Sequence, residues 1–332
     1  VAATVFAAVD HLLLSHVPGV TGPERVVEIG RSFRGQGFDT LSYPELVDLS
    51  ERVPELASVA AWRTEPLSLA TGDGGERIQG MMVSPSYFEV LGLAPAHGRF
   101  FLDEEGDPGD RRAVTVVSHR FFTERLGADP GAVGRTVEID RQPFTVVGVA
   151  PADYRGHVVA MEPDVWVPLG ATALVRPEIA PAVPSRGTSW LHLMGRLAPG
   201  ASIGQADAAV AALFEGLRAE EPEVYRQRSA RLLPLRFVPG GGRDATRVFF
   251  SLLGGLVALL VVVVCSNLAG LLLARGLGRR REMAVRLGHV LGNGPGLWKI
   301  PLPPRRPAEP YSLHAPQAPH PLMPGIPWRV GR

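Results

Sequence analysis

The sequence predicts an α+β extracytoplasmic domain inserted between transmembrane α-helices. Three observations lead to this class. Short strand-like runs alternate with short helical runs through the middle of the 332-residue chain. One long apolar run, Val248 to Ala274, contains no Asp, Glu, Lys, Arg or His. The composition, 45% hydrophobic and 20% charged, is typical of a chain that buries a core.

The N-terminal stretch Val1 to Leu14 is apolar, but Asp10 and His11 interrupt it. It is too short to span a membrane and lacks the basic residues that open a signal peptide. We expect residues 1–16 to be the end of a truncated first membrane helix.

The first half of the middle region holds two strands and two helices. The expected elements are a helix over Pro44 to Arg52 and strands over Leu56 to Trp62 and Glu76 to Val83. Ser84 is expected to be the N-cap of a short helix that places Tyr87, Phe88 and Leu91 on one face.

The second half adds a strand, a helix and a hairpin. A buried strand, Ala113 to Val117, is followed by a helix that Ser118 caps and Gly127 ends. The strands Thr136 to Ile139 and Phe144 to Val149 flank a turn at residues 140–143.

The last part of the region begins with a strand in "WLHLMGRL". Ser202 and Gln205 then form a capping-box pattern that opens a helix from Ile203 to about Glu220. A final strand, Arg231 to Val238, leads through "PGGGRD" into the apolar run.

The apolar run predicts a transmembrane helix over residues 248–274, because at about 1.5 Å per residue it exceeds the ~30 Å hydrocarbon core. A buried core helix of a soluble protein is the alternative. Five arginines follow the run, whereas Arg243 and Arg247 precede it beside Asp244. The positive-inside rule therefore places the C-terminal end in the cytoplasm and residues 17–247 outside it. We expect the helix to cross the cytoplasmic (inner) membrane of the cell.

Small residues at a spacing of four let two membrane helices approach closely. Such pairs are Gly254 with Ala258 and Ser266 with Gly270, and Asn267 can hydrogen-bond across the contact. The alternative is that glycine and serine are simply common in spans and that Asn267 lies near enough to the end of the run to meet water. The single cysteine, Cys265, lies in the same run and is expected to act as a small hydrophobe.

The sequence carries no local signal for catalysis, a cofactor or a metal. The formal net charge of +1 gives no field that favours nucleic acid. The only lysine, Lys299, is in "LWKIP", so no Walker A site is present. No histidine pair has metal-ligand spacing, and the acidic stretch Asp103 to Asp110 lacks calcium-loop positions, so we expect a solvated loop. A catalytic site scattered through the sequence remains open.

Four segments in order resemble the MacB-like, FtsX-like permease family of ABC transporters. They are Val83 to Phe101, Val133 to Pro151, Gly195 to Val210 and Leu271 to Leu287. The resemblance covers roughly residues 1–287. It implies a permease subunit, with its main domain between the first two membrane helices, that works by mechanotransmission from a separate ABC ATPase. It also implies a homo- or heterodimer of permease chains.

The resemblance implies that the arginine-rich segment, residues 275–287, is the cytoplasmic contact with the ATPase. The residues that map to this contact are Arg279, Arg280, Arg281, Glu282, Met283, Val285 and Arg286. The alternative is an anchor that attracts anionic membrane lipid, worth about 1 kcal/mol per arginine. Both functions are compatible with one segment.

The sequence departs from the family after Leu287. Residues 288–332 contain eleven prolines and no run that could span a membrane, so we expect an extended, poorly packed tail. A shifted reading frame or truncated gene would explain the change; a genuine proline-rich interaction tail is the alternative. We therefore expect a permease fragment. The competing functions are a membrane-tethered binding or sensing module without an ATPase and an anchored hydrolase.

Overall fold

The computed structural model describes residues 17–71, 74–109, 111–158, 161–236 and 240–292, and every structural statement below concerns these residues. The strands are β1 Val26–Phe33, β2 Gln36–Asp39, β3 Leu56–Thr71, β4 Gly74–Val83, β5 His97–Gly98, β6 Val114–Val117, β7 Thr136–Ile139, β8 Gln142–Val149, β9 Val165–Pro168, β10 His192–Leu197 and β11 Arg228–Pro234. The α-helices are α1 Tyr43–Arg52, α2 Tyr87–Leu91, α3 His119–Arg125, α4 Thr172–Val175, α5 Ile203–Glu220, α6 Pro222–Tyr225 and α7 Gly240–Gly292. The predicted first membrane helix and the tail beyond residue 292 lie outside the described residues.

The described strands join in one sheet of mixed direction, with the order β11-β1-β10-β3-β4-β9-β6-β8-β5. Strand β2 pairs with β1, and β7 pairs with both β3 and β8. Only the β4–β9 and β6–β8 pairs are parallel within this sheet. Helices are interspersed with mostly antiparallel strands, which confirms the predicted α+β class.

Strand β3 is shared by two halves of the sheet. Its first part pairs with β10, and its second part pairs with β4. The two registers meet at Trp62, which lies opposite His192 in β10 and opposite Val83 in β4. One 16-residue strand therefore belongs to both halves.

Two clusters of buried side chains form the core. The larger includes Leu49 of α1 and Phe214 of α5. The smaller gathers Tyr87 and Phe88 of α2 around Trp166 of β9. The apolar faces of α1, α2 and α5 are thus buried against the sheet, as the amphipathic patterns predict.

The helices with local capping signals are where the sequence predicts them. The Ser118 hydroxyl accepts a hydrogen bond from the Phe121 N–H at 3.0 Å. At the start of α5, the Ser202 hydroxyl accepts from the Gln205 N–H, and the Gln205 side chain accepts from the Ser202 N–H, which completes the predicted capping box. Gly127, at φ +67°, follows α3 in the left-handed conformation.

The predicted cap of α2 is wrong. Ser86 is the N-cap residue of that helix, and its side chain makes no capping hydrogen bond. The Ser84 hydroxyl instead accepts from the Ala61 N–H at 2.9 Å and lies 3.0 Å from the Ser86 hydroxyl. Ser84 thus continues the pairing of β4 with β3, because its backbone N–H also donates to the Ala61 carbonyl.

Several predicted boundaries differ from the structure. Strand β8 begins at Gln142, because the hairpin turn consists of Asp140 and Arg141, both at positive φ. Strand β11 begins and ends earlier than predicted. Helix α7 begins at Gly240, within the expected glycine linker, and continues to Gly292, five residues into the segment expected to be extended.

Candidate functional site

Helix α7 contains the predicted membrane span. An 18-residue window within Val248–Arg275 has a mean hydropathy of 2.9, and the helix is long and apolar enough to cross a membrane. Its large side chains are exposed, with Leu252 at 71% and Leu273 at 65%. A core helix of a soluble protein would bury these side chains, since apolar surface in water costs about 25 cal/mol per Å². The exposure therefore favours a lipid environment.

The predicted helix-packing residues all lie on α7, but they do not share one face. At 3.6 residues per turn, the Gly254 and Ala258 pair lies about 120° around the helix from the Ser266 and Gly270 pair. Asn267 also lies on the helix. A Cβ atom built at Gly254 or at Gly270 would meet no atom within 4 Å. The two small-residue pairs therefore lie on separate faces of α7.

The seven predicted coupling residues also lie on α7. They are Arg279, Arg280, Arg281, Glu282, Met283, Val285 and Arg286. Met283 is 61% exposed. By helical register, Arg279, Met283 and Arg286 lie within about 60° of each other on one face. By the same register, Arg281 and Val285 lie on the opposite side of the helix.

The N-terminal end of α7 is buried against the sheet. The Gly240 N–H donates to Glu28 Oε2 at 2.5 Å. Glu28 is 4% exposed and lies in β1, opposite Met194 of β10 on one side and Leu233 of β11 on the other. A carboxylate is favourable there, because a helix N-terminus presents unpaired N–H groups and partial positive charge.

The ring of Phe38 fills a slot at the same place. A Cβ atom added to Gly30 would lie 2.5 Å from the ring, and one added to Gly240 would lie 2.6 Å from it. The Arg231 guanidinium lies 5.9 Å from the ring centroid and donates to the Gly37 carbonyl at 2.9 Å. We call Glu28, Gly30, Phe38 and Gly240 the Gly240 joint.

A polar cluster is buried in the smaller core. The Tyr87 hydroxyl lies 2.7 Å from the Tyr154 hydroxyl and 2.8 Å from Nδ1 of His157. Burial, with a smaller contribution from the charge of nearby His192, lowers the pKa of His157 to about 3. Burial also raises the pKa of Tyr87 and of Tyr154. The cluster is therefore neutral, as its apolar surroundings require.

A polar groove of about 510 Å³ lies between α1, β3 and the segment after β4. Its lining includes four serines and three acidic residues: Ser50, Ser58, Ser84, Ser86, Glu89, Asp103 and Asp107. The described residues contain no group of three or more His, Cys, Asp or Glu that could hold a metal ion.

The acidic loop is only partly solvated, which corrects one expectation. Glu105 is 2% exposed, and its carboxylate accepts from Arg99 at 2.7 and 2.9 Å and from the Leu102 N–H at 2.9 Å. Burial alone would raise the pKa of Glu105, but these hydrogen bonds hold the pKa below its ordinary value. The loop therefore contains a partly buried ion pair between Arg99 and Glu105.

A folded α+β domain followed by a helix that is apolar and exposed defines a membrane-anchored protein whose main domain lies outside the bilayer. The chain belongs to the MacB-like periplasmic core domain family, whose model matches residues 2–213. The domain is thus the extracytoplasmic domain of an ABC transporter permease family. Members of that family are transporter components and not enzymes themselves.

Three solved structures have similar folds. The periplasmic region of MacB from Actinobacillus actinomycetemcomitans is 17% identical, with a TM-score of 0.46, and the match covers 65% of this chain and 90% of that one. A domain of a putative permease protein from Porphyromonas gingivalis is 15% identical, with a TM-score of 0.49 and coverage of 66% and 94%. The extracellular domain of the noncanonic ABC-type transporter YknZ from Gram-positive bacteria is 15% identical, with a TM-score of 0.44 and coverage of 63% and 99%. No curated protein sequence matches the chain.

Sequence reasoning predicted the long apolar helix but missed the Gly240 joint. Glu28 and Gly240 are 212 residues apart, so no local pattern connects them. The one signal in the sequence is a lone glutamate inside the apolar run "VVEIG". A buried carboxylate needs a donor, and here a helix N-terminus supplies one.

Proposed function

We propose that the chain is a permease subunit, or a fragment of one, that transmits movement from a cytoplasmic ABC ATPase to its extracytoplasmic domain. The observation that carries the proposal is the continuity of α7. One 53-residue helix contains the joint with the sheet, the apolar span and the arginine-rich segment. At about 1.5 Å per residue, some 25 Å of helix follow the span.

The proposed topology has α7 crossing the inner membrane once. Residues 17–247 lie outside the cytoplasm, residues 248–274 cross, and residues 275–287 contact the ATPase. Membership of the periplasmic core domain family supports the outer location. The arginines after the span support the cytoplasmic location of the other end. The small-residue pairs of α7 are proposed to contact neighbouring membrane helices, including those of a second permease chain.

We assign the ATPase contact to the face of Arg279, Met283 and Arg286. Met283 on this face is 61% exposed, and an exposed methionine favours contact with a protein surface that can bury it. An anchor that only attracts anionic lipid depends on the number of charges and not on which face carries them.

This difference defines the experiment. The chain is purified from membranes of its native host, and the ATP hydrolysis that is retained with it is measured. Arg279→Glu with Arg286→Glu is expected to abolish retention, whereas Arg280→Glu with Arg281→Glu, which changes the net charge equally, is expected to retain most of it. Equal losses in both variants contradict the face-specific contact and favour the anchor.

The groove beside α1 favours a second candidate, a membrane-tethered binding module without an ATPase. Its polar lining suits a hydrophilic ligand. Deletion of residues 276–292 distinguishes the two functions. If the chain is a tethered binding module, cells with the deletion variant keep the phenotype of cells with the wild-type chain. If the chain is a permease subunit, they show the phenotype of cells that lack the chain.

A further inference from the structure

The Gly240 joint combines a strong contact with a weak helix end. The first three residues of α7 are all glycine, Gly240 to Gly242. Glycine is the poorest helix former except proline, so these residues have little intrinsic tendency to be helical. The Glu28 carboxylate and the Phe38 ring hold the first of them against the sheet.

We propose that the Gly240 joint is a releasable connection between α7 and strand β1. In the joined state, Glu28 accepts from the Gly240 N–H and the glycine turn is helical. In the released state, the glycine turn unwinds and the helix begins near Arg243. The two states are close in free energy, because the gain from the Glu28 contact is offset by the poor helix propensity of three glycines.

The joint determines which part of the domain a moving α7 acts on. Strand β1 is paired on both sides, with β10 and with β11. In the joined state, a displacement of α7 acts on this internal strand through the carboxylate of Glu28. In the released state, only the covalent connection to the edge strand β11 remains. The inference rests on the proposed function, in which α7 carries movement to the domain.

The test measures hydrogen exchange of backbone amides in the full-length chain, reconstituted in lipid nanodiscs. The reporting amides are Gly240 and residues 244–246, whose helical hydrogen bonds depend on the first turn. Glu28→Gln removes the charge and keeps the size of the side chain. We expect exchange at these amides to rise by about tenfold or more.

Glu65→Gln is the matched control, because Glu65 is a second buried carboxylate, and it is paired with Arg176 at 2.8 Å, away from the joint. Exchange at the reporting amides is expected to be unchanged in this variant. Protection of β3 amides shows that each variant is folded. Unchanged exchange in folded Glu28→Gln overturns the proposal.

In Gly240→Ala, the direction of the change in exchange rate distinguishes the joint from an effect of helix propensity alone. Alanine is a better helix former, so without a joint the variant exchanges more slowly. With the joint, the new Cβ lies 2.6 Å from Phe38 and 2.9 Å from Glu28 Oε2, so the contact breaks and exchange is faster. Slower exchange in this variant overturns the proposal.

A last measurement separates this inference from the proposed function. The ATPase that is retained with the wild-type chain is trapped with ATP and vanadate, and exchange of β1 amides is compared with the untrapped state. We expect a change in the wild type and none in Glu28→Gln, although both retain the ATPase. An equal change in both overturns the role of the joint. No retained ATPase in the wild type overturns the proposed function, while the exchange results on Glu28 and Gly240 still decide the joint.

Discussion

The hydroxyl of Tyr87 and Nδ1 of His157 lie 2.8 Å apart inside a core otherwise lined by aromatic and aliphatic side chains. Trp62 contacts the imidazole edge-on, with ring centroids 4.4 Å apart. The imidazole is completely buried, so its charged form is strongly disfavoured. This pair links the stability of the domain to pH.

The domain is expected to lose stability as the pH falls below about 6.5. The unfolded chain binds a proton at His157 near pH 6.5, whereas the folded chain does not until about pH 3. The unfolded state therefore binds more protons between these values, and the free energy of unfolding falls by up to about 1.4 kcal/mol per pH unit. Urea unfolding in detergent, followed by tryptophan fluorescence from pH 7 to pH 4, measures this slope.

His157→Asn is expected to flatten that pH slope, because asparagine does not titrate and offers a polar atom close to the position of Nδ1. His97→Asn is the control, since His97 is exposed, and it should leave the slope unchanged. His192, whose pKa burial also lowers, is retained in both variants and contributes the remaining slope. An undiminished slope in His157→Asn would contradict the assignment.

Ser42→Ala is expected to destabilise the domain by about 1–2 kcal/mol, because Ser42 is the buried N-cap of α1. Its hydroxyl accepts from the Glu45 N–H, and the Glu45 carboxylate accepts from the Ser42 N–H at 2.6 Å. Ser50→Ala in the same helix is the control and should be neutral or slightly stabilising, because alanine has the higher helix propensity. Equal changes in the urea midpoint for both variants would show that the cap contributes nothing.

Two glycine substitutions should change stability in opposite directions. Gly148→Ala places a Cβ 2.0 Å from the Arg99 carbonyl oxygen, so we expect a loss of about 3 kcal/mol or more. Gly204→Ala, in the first turn of α5, meets no atom within 4 Å and should add about 0.5–1 kcal/mol through helix propensity. Urea unfolding in detergent measures both. Tolerance of alanine at position 148 would refute the close approach of β8 to residue 99.

Cys265 should react slowly with a membrane-impermeant maleimide in intact membranes, at least about tenfold more slowly than after solubilisation in SDS, because the reagent does not enter the hydrocarbon core. Cys265→Ser combined with Ser50→Cys moves the thiol to an exposed position of α1. That variant should react quickly when the reagent is added outside intact cells. Rapid labelling of Cys265 in membranes would exclude a span at this position, and protection of the new cysteine would place the domain on the other side.

The sequence predicts well those elements whose signals are local. The capping box of Ser202 and Gln205 lies within one helical turn, so the start of α5 is correctly predicted. The membrane span is equally local, because a run of apolar residues needs no partner to be recognised. The coupling residues remain a proposal, because a contact with another protein leaves no mark in a single chain.

Elements that depend on distant partners are missed or shortened. Strand β1 is not predicted, because Glu28, Gly30 and Arg31 interrupt its apolar pattern, and it is buried only through pairing with β10 and β11 near the other end of the domain. The second part of β3 is also missed. It contains Glu65, a polar residue that the structure buries by pairing it with Arg176. In each case, a contact far along the chain overrides the local pattern.

The passage of β3 from β10 to β4 at Trp62 has a mechanical consequence. Because β3 is one continuous strand in both halves of the sheet, the two halves cannot slide past each other without breaking backbone hydrogen bonds between strands. A displacement of one half must therefore bend or twist the shared strand, so that it is felt in the other half.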